Sequence, residues 1–165
     1  MSLELSDRKI LARRLRKAFR LTASEWTLLV QAAGWFAVVE LGLRLVPVQS
    51  LLNFLGHGAA PEITASSLSP ERVGRLVDAA SRVYPLRATC LKKALVVYAL
   101  LGRRGFKVKL LLGAAKQDGK LDCHAWLEHQ GRVVVGGSGS ERYSLLWSAD
   151  HSIAVTAQRE RQASA

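Results

Sequence analysis

Only two cysteines, Cys90 and Cys123, stand among the 165 residues. That number excludes a secreted scaffold built on disulfides, which devotes a large share of a short chain to cysteine. Acidic residues are also scarce: 13 Asp and Glu face 24 Lys and Arg, for a formal net charge of +11. A field of that sign draws acidic partners, whether nucleic acid, anionic lipid or acidic peptide, although a solvated surface shows the same imbalance. The opening residues MSLELSDRKI carry charge at once and no apolar signal-peptide stretch, so a cytoplasmic protein with reduced thiols is expected. The Gly136–Ser140 stretch, GGSGS, lacks the Lys-Ser/Thr pair of a phosphate-binding P-loop. Neither Cys-x-x-Cys nor His-x-x-x-His spacing occurs, so no metal site is expected from Cys90, Cys123 and His124, and no cofactor. The arginines are not interleaved with aromatics and no nucleic-acid signature is present, so nucleic acid is not an expected partner. There is no internal repeat and no low-complexity segment.

Hydrophobic residues make up 49% of the chain, enough to bury a core. Residues 7–20 have helical periodicity, with Leu11, Leu15, Ala18 and Phe19 on one face and five basic residues on the rest. A second helix begins at a Thr22–Glu25 capping box, with Leu21 and Trp26 at the staple positions, and runs to about Leu45, before Pro47. Its middle is apolar on nearly all sides, but Gln31, Glu40 and Arg44 interrupt it, so a buried or partner-facing helix is expected rather than a transmembrane span. A short helix follows from Pro47 to Gly56. Residues 57–69 read as a linker rich in Gly, Ala and Ser. A further helix starts with Ser69 as cap and Pro70 in its first position, with Val73, Leu76, Val77, Ala80 and Val83 as its apolar face. The expected organisation is a helical docking segment over 1–56, the linker, a core over 70–155 and a flexible tail over 156–165.

Within the core, a helix from Cys90 to about Arg104 is capped by Thr89 and stopped by Gly105. Three antiparallel strands are then expected between Phe106 and Gly137, with Lys107 and Lys109 alternating against Val108 and Leu110 and a turn at Gln130–Gly131. The fold class is α+β: N-terminal helices, then a Cys-bearing helix packed on a small antiparallel sheet.

Chemistry gathers on that pair of elements. A thiol in the first turn of a helix meets free N–H groups and the positive end of the helix dipole, which favour a thiolate. The same N–H groups suit an oxyanion, and Lys92 and Lys93 add positive charge. His124, on a strand, is of the type that accepts a thiol proton and returns it to a leaving amine. Cys123 is a rival nucleophile, but strand alternation points it away from the His124 face. Taken alone, each residue also has a plain structural reading: a small buried hydrophobe and a hydrogen-bonded strand histidine.

The motif Cys90-Leu-x-x-Ala-Leu, followed by Arg103-Arg-Gly-Phe and then His124-Ala-Trp-Leu-Glu, resembles the transglutaminase-like cysteine peptidases of lasso-peptide biosynthesis. The likeness runs from Glu71 to about Trp147, and the Thr-x-x-Glu-Trp helix start resembles the segment before that family's core. The resemblance implies a papain-like core that cuts the leader from a ribosomally made precursor. It implies a small leader-binding recognition-element partner and a separate ATP-dependent macrolactam cyclase. Cys90 would match the nucleophile and His124 the base.

The family pattern also calls for an acid on the strand after the histidine. Here pairing of Glu128 with Arg132 would put His124 opposite Gly136, and a two-residue turn would put it opposite Gly137. Neither glycine is expected to orient a histidine. Asp122, two residues away on the same face, is the nearest replacement; Glu128 is about 13 Å off along the strand. A distant acid such as Glu141, or a Cys-His dyad without an acid, are the alternatives. A non-catalytic escort module that binds the precursor without cutting it is the rival function.

Overall fold

In the first helix, Thr22 lies in an extended conformation, and its hydroxyl accepts from the Glu25 N–H while the Glu25 carboxylate accepts from the Thr22 N–H at 2.8 Å. This reciprocal box consumes orphan donors that a helix start otherwise leaves bare. The computed structural model describes residues 21–56, 68–117 and 119–150. The periodic segment 7–20, most of the proposed linker and the tail lie outside the described residues. Four helices are described: α1 (Ala23–Leu45), α2 (Val48–Gly56), α3 (Pro70–Ser81) and α4 (Cys90–Gly102). Four strands follow: β1 (Lys109–Gln117), β2 (Lys120–His129), β3 (Arg132–Val135) and, after a 3₁₀ turn at Ser140–Arg142, β4 (Ser144–Asp150). The fold is α+β, with the Cys-bearing helix packed on an antiparallel sheet of order β3-β2-β1-β4. Three of these strands match the expectation. β4 was not foreseen; it pairs with the free side of β1.

α4 is the central element. Every residue from Ala94 to Gly102 is buried, as expected of a helix that is apolar all round. It packs against α1, α2 and α3 and against β1, β2 and β3 of the sheet. α1 contributes Leu28, Ala32, Phe36 and Val39, all buried at helical spacing, to a core shared with Val73 and Val77 of α3 and Leu110, Ala125 and Leu127 of the sheet. Each fully buried Leu or Phe contributes about 1.5–3 kcal/mol. Although α1 is long and apolar enough by composition to cross a membrane, one of its faces is therefore part of the domain's own core. The α3 face is as expected except for Val83, which falls beyond the helix end at Ser81 and is exposed. Gly74 sits where α3 meets β3: a Cβ there would strike the Val134 carbonyl oxygen.

Among the described residues, three ion pairs tie the helices together. Glu25 of α1 is buried and binds Arg72 of α3, whose Nε donates at 2.6 Å. Glu40 of α1 binds Lys92 of α4 at 2.5 Å. Asp78 of α3 binds Lys93 of α4 at 2.9 Å. At the far end of α4, Arg104 donates to the Leu100 carbonyl and to Gln31 of α1, and Arg103 lies 4.7 Å over the Trp35 ring. The Arg-Arg-Gly-Phe motif thus closes α4 and fastens it to α1.

Candidate functional site

Cys90 is the first residue of α4. Thr89 caps it: its hydroxyl accepts from the Lys92 N–H and its carbonyl from the Lys93 N–H. The N–H groups of Cys90 and Leu91 fall in the turn that has no intrahelical acceptor, so they face outward from the helix start. The thiol is half-buried at the edge of the core. The charge expected from Lys92 and Lys93 is differently used. Lys92 also donates to the Arg87 carbonyl, and both ammonium groups are neutralised by carboxylates of α1 and α3. What they do is fix the Cys-bearing turn against two neighbouring helices.

His124 lies on β2 with Asp122 and Trp126, alternating with Ala125 and Leu127, which enter the core. Its Nε2 lies 2.7 Å from the Gly136 carbonyl oxygen. A carbonyl only accepts, so Nε2 carries a proton, and in the neutral form of the ring the lone pair is then on Nδ1. This corrects the expectation that neither glycine orients the histidine. That expectation considered side chains across a regular ladder. The β2–β3 turn is the two-residue type, with positive φ at both Gln130 and Gly131. The register then slips between Leu127 and Glu128, and pairing ends at Val135. Gly136 follows with φ +80°, and a Cβ on it would lie 2.6 Å from the Ala125 carbonyl oxygen. Glycine alone fits, and its carbonyl takes the place where an acid was looked for.

Asp122 is engaged elsewhere. Its carboxylate accepts from the Tyr143 hydroxyl at 2.6 Å, while the Tyr143 ring stacks on His124 with centroids 5.0 Å apart. The bond to Asp122 pushes the Tyr143 hydroxyl pKa up; partial burial and the Asp122 charge add to this, and a charge on Cys90 acts in the same direction. Tyr143 is thus tied at once to Asp122 and to the face of His124. Among the described residues no hydrogen bond joins Cys90 to His124. Cys123 is exposed on the alternate side of β2. Glu141, the distant acid considered, lies in the 3₁₀ turn just before Tyr143.

Two participants escaped the sequence reading. Gly113 pairs with His124 across the β1–β2 ladder, at the point where the β1–β4 register shifts. A Cβ there would lie 2.9 Å from the Tyr143 Cβ and 3.0 Å from the Trp126 ring. The signal was available: a lone glycine inside an aliphatic strand marks a bulge or a close approach. Tyr143 itself carries no periodic signal, because it enters from a glycine-rich turn.

The arrangement supports nucleophilic chemistry in principle: a thiol beside free main-chain N–H groups, and an imidazole locked as a base on Nδ1. No curated protein and no solved structure gives a significant match to the chain. A family model, that of the transglutaminase-like superfamily, matches residues 33–148, from the middle of α1 to β4. With the Cys-helix and sheet of a cysteine-protease-like fold beneath it, the chain belongs to the transglutaminase-like superfamily.

Proposed function

We propose that this chain is a cysteine peptidase that removes the leader from a lasso-peptide precursor in the cytoplasm. The observation that carries the reading is the His124–Gly136 bond, which leaves Nδ1 as the basic nitrogen of a strand histidine in a fold whose Cys-bearing helix begins at Cys90. Nδ1 takes the Cys90 proton, and the thiolate attacks the carbonyl carbon of the leader–core bond. The N–H of Cys90 donates to the oxyanion. The C–N bond breaks, and the imidazolium passes its proton to the departing core amine. Water, deprotonated by His124, then cleaves the thioester and frees the leader acid and the thiol. The Cys90–His124 contact forms in the substrate complex, since catalytic hydrogen bonds are often open in free enzymes.

The partners are the leader peptide, a leader-binding recognition-element protein and the macrolactam cyclase. An exposed apolar stripe on α1, with Trp26, Val30, Leu41 and Leu45 each at least half exposed, supports a docking role for the N-terminal helices. The escort-module reading draws support from the open Cys90–His124 pair. The two are separated by incubating the chain with a lasso-peptide precursor and a leader-binding recognition-element protein, followed by mass spectrometry. Cleavage by the native chain that is lost in Cys90→Ala and in His124→Ala supports the peptidase. Cleavage retained in Cys90→Ala refutes it, and tight precursor binding without cleavage by the native chain assigns the escort role.

A further inference from the structure

The glycine-rich stretch 136–139 carries no phosphate-loop chemistry, yet its geometry has a consequence at the histidine. Gly136 and Gly139 both have φ near +80°. Between them the chain reverses from β3 into the 3₁₀ turn and delivers Tyr143 at the head of β4. β4 is two strands away from β2, since β1 lies between them. Adjacent strands are about 4.8 Å apart, so a ring rooted next to β4 meets a ring on β2 only by crossing over β1. It crosses above Gly113, where any Cβ would collide with it. On arrival its face stacks on His124, with the planes 24° apart, and its hydroxyl ends on Asp122. The Trp126 ring stacks near the same imidazole at 6.2 Å.

We propose that Tyr143 is a positioning residue for His124, held in place by its hydroxyl bond to Asp122 and by the gap above Gly113. The Tyr143 face, closer to the imidazole than Trp126, holds the ring in the plane that brings Nε2 to the Gly136 carbonyl, and that carbonyl then fixes which nitrogen bears the proton. Asp122 acts on the histidine through the tyrosine. Its role in turnover rests on the peptidase reading; its effect on the imidazole does not.

The test is ¹⁵N NMR of the His124 ring, identified by its loss in His124→Gln, in Tyr143→Phe, Tyr143→Ala, Asp122→Ala and the Tyr143→Phe/Asp122→Ala double variant. The native chain is expected to show one neutral tautomer with Nε2 protonated. Tyr143→Ala is expected to show averaged tautomers, because a ring that is no longer held in plane leaves the Gly136 carbonyl part of the time and Nε2 loses the bond that keeps its proton. Tyr143→Phe and Asp122→Ala are expected to show the same smaller change, with the double variant no worse than either, because both remove one bond. Where the native chain cleaves a precursor, kcat is expected to fall about 10²-fold in Tyr143→Ala, with KM nearly unchanged, as for a misplaced catalytic group. A native tautomer signature in Tyr143→Ala overturns the proposal. So does a disturbance in Asp122→Ala that Tyr143→Phe does not share, because Asp122 then acts on His124 directly. If the native chain proves inactive, the ring spectra still decide the assignment.

Discussion

Replacing Gly136 by alanine puts two separable loads on the structure. A left-handed conformation costs a non-glycine residue about 1–2 kcal/mol. The new methyl would also lie 2.6 Å from the Ala125 carbonyl oxygen and 3.0 Å from the Trp126 Cα, both main-chain atoms that cannot swing aside. Overpacking of that kind costs about 1–3 kcal/mol. The sum is roughly 2–5 kcal/mol, or a fall in Tm of about 5–15 °C for a chain of this size. Gly119 supplies the control: it has φ +76°, but a methyl added there would meet nothing within 4 Å. Gly119→Ala is therefore expected to show the conformational part alone, about 1–2 kcal/mol. Thermal unfolding of both variants measures the difference. Leader cleavage, measured well below the lower Tm, is expected to fall about 10²-fold in Gly136→Ala only, because a shifted carbonyl releases the imidazole. Equal stability of the two variants refutes the close approach. A destabilised Gly136→Ala protein that cleaves at the native rate refutes the claim that this carbonyl holds His124.

Acid should loosen the helical layer. The Thr22 main-chain bond, then Arg72, hold Glu25 below the ordinary carboxylate range, and the Lys92 bond does so for Glu40. At Asp78 burial opposes ionisation, but the bond and charge of Lys93 outweigh it. Groups with depressed values in the fold stabilise it fully above their unfolded values of about 4, and that contribution disappears as pH falls through the folded values. Urea unfolding from pH 7 to pH 3 is expected to show a plateau and then a decline below about pH 4.5, shallower in Glu25→Gln; a flat profile contradicts the ion-pair frame. Two helix glycines should respond with opposite signs. Gly34→Ala meets nothing within 4 Å and should stabilise by about 0.5–1 kcal/mol. Gly74→Ala strikes the Val134 carbonyl and should destabilise by about 2 kcal/mol or more, readable in the same unfolding assay.

The helices were legible because their signals are local: a capping box at Thr22–Glu25, Ser69 before Pro70, Thr89 before Cys90. Strands β1 to β3 were legible from alternation and from the Gln130–Gly131 turn. β4 was not, since its pairing with β1 is set by a register shift at Gly113 that no short-range pattern encodes. The nucleophile and base candidates were visible as residue types beside a helix cap and on a strand. Their supports were not. A main-chain carbonyl has no letter in a sequence, so Gly136 could be counted only as a missing acid. Asp122 was chosen by proximity along the strand, and its hydrogen bond to Tyr143 depends on a ring crossing a third strand. Lys92 and Lys93 were read as local charge at the thiol, because the carboxylates that bind them lie 52 and 15 residues earlier in the chain.

The central claim is that Cys90 is the nucleophile, and titration of that thiol tests it most directly. In a Cys123→Ser background, iodoacetamide is added in steps, and the fraction of Cys90 alkylated, read by peptide mass spectrometry, is compared with the residual rate of leader cleavage. The account predicts that cleavage falls in proportion to alkylation and reaches zero when Cys90 is fully modified. Full alkylation of Cys90 with cleavage intact would contradict it.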